Sequence, residues 1–168
     1  EPPSPGLQTA DCPGILQSVL AELPDAQTPT VLHTKAVLYH QLALLHRSDK
    51  TEFQKHLDRA ATYYRQAKGA YAKDDPLRCL CLVDLGRLLG VQLFDEAGNL
   101  RDENLEEMDG VFKEGYTWED GRGVFSVSAR ISHADALLKA KDHERADRLF
   151  EKTFEEIESL KLAERTGS

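Results

Sequence analysis

The stretch His133-Ala134-Asp135-Ala136-Leu137-Leu138-Lys139-Ala140-Lys141-Asp142-His143-Glu144-Arg145-Ala146-Asp147-Arg148-Leu149-Phe150 decides the fold. Ala134 and Leu137 stand one helical turn apart, and Ala146, Phe150 and Thr153 repeat the step beyond a polar Lys141-Asp142 break. Apolar groups at intervals of three and four residues share one face of a helix. So short a break permits only a tight turn. The spacing therefore predicts helices over 124–140 and 143–163, packed antiparallel, with Ala134 and Ala146 small enough to let them approach.

The same texture extends back along the chain. Ile15, Leu16, Val19, Leu20 and Leu23 share a face over 13–23, opened by Pro13 near a first turn and stopped by Pro24. Val31, Leu38, Leu42 and Leu45 mark a helix over 30–47, with Ala36, Ala43 and Leu44 widening its stripe. Ser48-Asp49-Lys50-Thr51 reads as a turn with Thr51 as the cap of the next helix, 52–72, whose inner face carries Phe53, Leu57, Ala60, Ala61, Tyr64, Ala67 and Tyr71. Asp74-Asp75-Pro76 separates it from 77–94, the most apolar segment and the expected centre of the fold. A weaker helix over 104–115 and a Tyr116–Gly123 loop holding Trp118 complete the set. No period-two run suggests a strand. The class is all-α: one helical domain over 12–164, after a disordered proline-rich lead-in (1–11) and before a short tail (165–168).

The last pair resembles a tetratricopeptide repeat, on Ala134, Leu137, Ala146, Phe150 and Thr153. The second-helix spacing recurs at Ala60, Tyr64 and Ala67 after Leu42-Ala43, and a degraded copy joins Leu85-Gly86 to Met108, Phe112 and Gly115. Ala134 to Ala146 spans twelve residues as in that family, whereas Ala43 to Ala60 spans seventeen and Gly86 to Met108 twenty-two. The resemblance thus implies an α-solenoid of antiparallel pairs with long inter-helix turns. It also implies a concave face lined by the first helix of each pair, where His40, Gln41, Arg47, Asp84, Arg87, Ser128, Asp135 and Lys139 would meet a protein or peptide partner.

The remaining chemistry is thin. With 21 Lys+Arg against 29 Asp+Glu among 168 residues, the net charge of −8 argues against a phosphate-neutralising nucleic-acid surface. No apolar run approaches the roughly 20 residues that span a bilayer, and no basic-then-apolar leader stands in the sequence given. Cys12, Cys79 and Cys81 are an odd set with C-x-C spacing, which predicts reduced thiols, no structural zinc and an intracellular setting, cytoplasm before nucleus. His33 and His40 lie two turns apart, and His143-Glu144 is followed by Asp147 where H-E-x-x-H needs histidine. Asp95–Leu100 carries Ala97 at the third position, where a calcium loop needs an oxygen, and Leu100 at the sixth, where it needs glycine, and Gly121-Arg122-Gly123 is neither a dinucleotide fingerprint nor a P-loop. No cofactor is expected.

Arg59, Arg65, Lys68, Arg130, Lys139 and the glutamates at 151, 155, 156 and 158 read as solvated charge. Ser4-Pro5 and Thr28-Pro29 have the form of proline-directed phosphorylation sites, and the start at Glu1 suggests a piece of a longer or processed chain. The reading that emerges is a non-enzymatic interaction module. Two alternatives stand beside it: a docking or oligomerisation domain that covers 77–94, and an enzyme with an unrecognised helical site.

Overall fold

Helix starts follow from short acidic side chains and prolines. Asp49 holds an extended conformation and its carboxylate accepts from the Thr51 and Glu52 N–H groups, so Asp49, not Thr51, caps the third helix. The reason is reach: the capping oxygen must lie just outside the first turn, and the helix begins earlier than its apolar stripe suggests. Asp75 does the same for the fourth helix, accepting from Leu77 N–H, with Pro76 in the first turn.

In this computed structural model the described residues are 12–95, 97–116 and 124–166, and they form α1 (Cys12–Glu22), α2 (Pro29–Leu45), α3 (Lys50–Ala70), α4 (Pro76–Val91), α5 (Asp102–Tyr116), α6 (Val124–Lys139) and α7 (His143–Thr166). No strand occurs among the described residues, which carry one isolated bridge, Phe94 to Leu100. The class is all-α. Residues 117–123, with Trp118, and the lead-in 1–11 lie outside the described residues.

The turn between α6 and α7 shows why two residues suffice. Asp142 N–H reaches back to Leu137 O (2.9 Å) and Lys141 N–H to Leu138 O (3.0 Å), which closes the end of α6. Lys141 takes the left-handed conformation this requires (φ 63°). Asp142 then accepts from Arg145 N–H at 3.2 Å and so begins α7.

α4 is the hub. It packs against α2, α3, α5 and α6, and Leu85, Leu88 and Leu89 on it, with Leu93 just beyond, are wholly buried. Each such side chain contributes about 1.5–3 kcal/mol by leaving water. Contacts along α4 and α5 run in opposite order: the Cys79 thiol donates to Gly115 O, Gly86 lies against Phe112, and Asn104 Nδ2 donates to Gln92 O at 2.8 Å. A methyl group on Gly86 would stand 2.6 Å from the Phe112 ring, so the bare backbone is what lets the aromatic seat itself. Burial holds the Cys81 thiol up at about 12, so this side chain behaves as a small apolar one.

The residues expected from sequence at close helix contacts lie mostly inside the fold. Ala43, Ala60, Ala134 and Ala146 are completely buried, and Met108 and Phe112 likewise, while Phe150 is half-buried. No helix among the described residues is long and apolar enough to cross a membrane.

Candidate partner-binding face

Because four helices pack around α4, beyond exposed Pro76 and half-buried Arg78 in its first turn one stripe of it reaches solvent: exposed Leu77, Arg87 and Val91, with half-buried Leu80 and Asp84. Helix periodicity sets that stripe, since these positions fall three or four residues apart. α2 and α6 flank it. His33 of α2 places Nε2 3.2 Å from Asp84 Oδ2, with the Tyr71 hydroxyl 3.3 Å from Nδ1. On the other side Arg87 donates from Nε to Ser132 Oγ (3.0 Å) and from Nη2 to Ser128 Oγ (3.5 Å), and its Nη1 lies 3.7 Å from Asp84 Oδ1. A polar line therefore crosses three helices, His33–Asp84–Arg87–Ser128/Ser132.

Of the residues anticipated for this face, Asp84, Arg87 and Ser128 lie in that line. His40 is half-buried beside it, its ring edge-on to Tyr64 at 6.3 Å. Burial lowers the His40 pKa; Asp84 opposes this, and the positive fields of Arg47 and Arg87 add to it. Arg47 itself is exposed just beyond the end of α2. Asp135 and Lys139 of α6 are exposed and engage each other at 2.7 Å, a solvated helical pair of small energetic weight. Gln41 is exposed and no hydrogen bond ties it to the line. His33 and Ser132 were missed from sequence, although each lies on the right stripe: seven residues before His40 and four after Ser128.

A second polar cluster lies inside the structure. His133 is 1% exposed, stacked on Phe112 (ring centroids 5.0 Å apart), and its Nε2 stands 2.6 Å from Asp109 Oδ1. Arg145 of α7 donates to Asp109 Oδ2. Burial pushes the Asp109 carboxyl up, but the hydrogen bonds from His133 and Arg145 and their positive fields outweigh it and hold the group well below the usual carboxylate range. Arg130 is buried too, paired with Glu156 and lying over the Tyr116 ring at 5.4 Å. The expectation that Arg130 and Glu156 are solvated charges is therefore corrected: a helix face that looks polar in sequence packs against another helix, and each charge answers the other. Glu151, Glu155 and Glu158 are exposed as expected.

Chemically, the face offers hydrogen bonds and charge. The hydrogen-bond partners of His33 are the Tyr71 hydroxyl and the Asp84 carboxylate, while Ser128 and Ser132 accept from Arg87. Among the described residues no three His, Cys, Asp or Glu side chains converge as metal ligands. No protein-family profile, curated protein or solved structure matches the chain.

Proposed function

We propose that the chain is a non-catalytic protein-interaction module that receives a peptide segment or partner helix on the face formed by α2, α4 and α6. The observation that carries this reading is the polar line from His33 through Asp84 and Arg87 to Ser128 and Ser132, which fixes three helices edge to edge. Leu77, Val91, Ile131 and Leu138 add exposed apolar groups to the face, 37–44% accessible. Such a mixture of apolar and hydrogen-bonding groups suits recognition of another chain.

The reading extends to architecture. The reversed order of contacts between α4 and α5, and the two-residue turn between α6 and α7, favour antiparallel pairs stacked as a tetratricopeptide-like solenoid with first helices in one layer. All three cysteines are free thiols, in keeping with an intracellular and mainly cytoplasmic setting. The alternative, a docking or oligomerisation domain whose α4 surface another subunit covers, draws its support from exposed Leu77 and Val91, since the other leucine and valine side chains of α4 are buried or half-buried within the chain.

The test is capture of partners with the chain and with an Arg47→Glu, Arg87→Glu double variant. Both side chains are exposed, so the helical circular dichroism should persist while capture is lost, and an Arg87→Gln control, which removes the charge without setting a second carboxylate beside Asp84, separates lost binding from loosened helices. Retained capture would refute the assignment of this face.

A further inference from the structure

The connection from α1 to α2 ends on Thr28-Pro29, the one hydroxyl-proline dipeptide among the described residues. Proline forces the residue before it out of the helical region, and Thr28 is extended (φ −71°, ψ 147°) with Pro29 opening α2. Thr28 is exposed, and its hydroxyl caps no N–H of the helix it precedes. Thr34, Thr62 and Thr153, by contrast, spend theirs on the carbonyl four residues back. The first bond of α2 runs from Leu32 N–H to Thr28 O at 3.0 Å, and buried Leu32 anchors the helix from there on. The N–H groups of Thr30 and Val31 come before that bond, where a helix leaves donors without a carbonyl.

Lys35 supplies a second, independent feature. It stands seven residues after Thr28, two turns along the same face of α2. Only 9% of it is exposed, and its Nζ lies 5.9 Å from the Tyr63 ring centroid. Helix side chains lean toward the N-terminus, and this one does so: its Nζ is 3.9 Å from Oδ1 of Asp25, within the connection itself. That separation is longer than a hydrogen bond, and the Asp25 side chain is fully exposed. A nearly buried ammonium thus points at the connection with one loose counter-charge among the described residues. Charge withdrawn from water in this way calls for a close partner. A phosphate tethered to Thr28 would meet that demand and the two free N–H groups together, and the Thr-Pro dipeptide is the form in which a kinase would install it.

We propose that Thr28 is a phosphorylation site for a proline-directed protein kinase, and that its phosphate seats between Lys35 and the first turn of α2, displacing Asp25. In the transfer Thr28 Oγ bonds to the γ-phosphorus of a nucleoside triphosphate while the bond from that phosphorus to its bridging oxygen breaks. The nucleoside diphosphate leaves with the electron pair, and the hydroxyl proton passes to the carboxylate base of the kinase. The product carries about −1.5 to −2 charges at pH 7 and three acceptor oxygens, which tie the connection to the helix it opens.

The experiment treats the whole chain, in a Ser4→Ala background that leaves Thr28-Pro29 as the remaining such dipeptide, with a purified proline-directed kinase and ATP. Mass spectrometry should find a phosphate on Thr28, and none after Thr28→Val. Phosphorylation should raise Tm by roughly 2–6 °C. Lys35→Met keeps a long stem beside Tyr63 and removes the charge, and phosphorylation of that variant should raise Tm by no more than about half as much. Phosphorus NMR gives a reading that does not depend on stability. The phosphate of the folded parent should titrate at lower pH than the same protein in urea, and Lys35→Met should move the midpoint back up. Absence of phosphate on Thr28 in the folded chain, an unchanged or lowered Tm, a midpoint equal in the folded and urea-treated parent, or indifference of both readings to Lys35→Met would each overturn the proposal.

Discussion

Gly86 and Gly110 sit inside two helices that pack together, α4 and α5, yet the same change to alanine should have opposite effects at the two sites. In both helices alanine is the better helix former by about 1 kcal/mol. At Gly110 a new methyl group meets nothing within 4 Å, so that gain is realised. At Gly86 it would stand 2.6–2.8 Å from three atoms of the Phe112 ring, which is itself wholly buried and has no space to retreat into. Overpacking of this kind costs about 1–3 kcal/mol, and a contact involving three ring atoms belongs toward the upper end. Gly86→Ala should therefore destabilise by about 1–2 kcal/mol net, and Gly110→Ala should stabilise by about 0.5–1 kcal/mol. In a chain of this size those values correspond to a Tm lower by roughly 2–8 °C in one case and higher by roughly 1–4 °C in the other. Urea unfolding followed by far-ultraviolet circular dichroism measures both, and a Phe112→Leu background supplies the cycle that assigns the loss to the ring. A Gly86→Ala protein as stable as the parent, or a loss at Gly86 unchanged by Phe112→Leu, would refute the packing argument.

Two further outcomes follow from the same structure. Asp49→Ala should cost about 1 kcal/mol because two α3 N–H groups lose their acceptor, while Thr51→Ala should be nearly neutral; urea midpoints of the two proteins decide this. Asp109→Asn should destabilise by about 2–4 kcal/mol at neutral pH, since it leaves His133 and Arg145 facing an uncharged amide. The Asp109 pKa is lowered in the folded state, so its contribution is complete above the ordinary carboxylate pKa of about 3.9 and fades as pH falls below it. Stability curves of parent and variant should thus converge on acidification, and a gap that stays constant below that pH would contradict the assignment.

Much of the fold is written in local signals, and most of the site is not. Asp75-Pro76 announces a helix start by itself, and Ala134 with Ala146 announces a close pair, because each needs only its own neighbours. Asp109 and His133 are 24 residues apart, and nothing local on α5 or α6 marks either as buried. Arg130 and Glu156 fail for the same reason: charge in a sequence reads as solvent-facing until the helix that covers it is known. The polar line was legible in part. The repeat resemblance put Asp84, Arg87 and Ser128 on one surface, but it extended the face to Gln41, Asp135 and Lys139, where the structure supplies exposure and one local ion pair.

The carboxylate of Asp109 also says something about how the molecule comes apart. It belongs to α5 and is held by α6 and α7 at once, so one ionisable group rivets three rods. Beside that rivet and the Glu156 contact, the described side chains of α7 include buried Ala146 and Thr153 and half-buried Leu149 and Phe150 against the core, while Phe154 is 65% accessible. Ion pairs therefore carry a good part of its grip. Acid or strong salt should loosen this terminal rod before the leucine-filled centre gives way, and the molecule would then shed its end ahead of its middle.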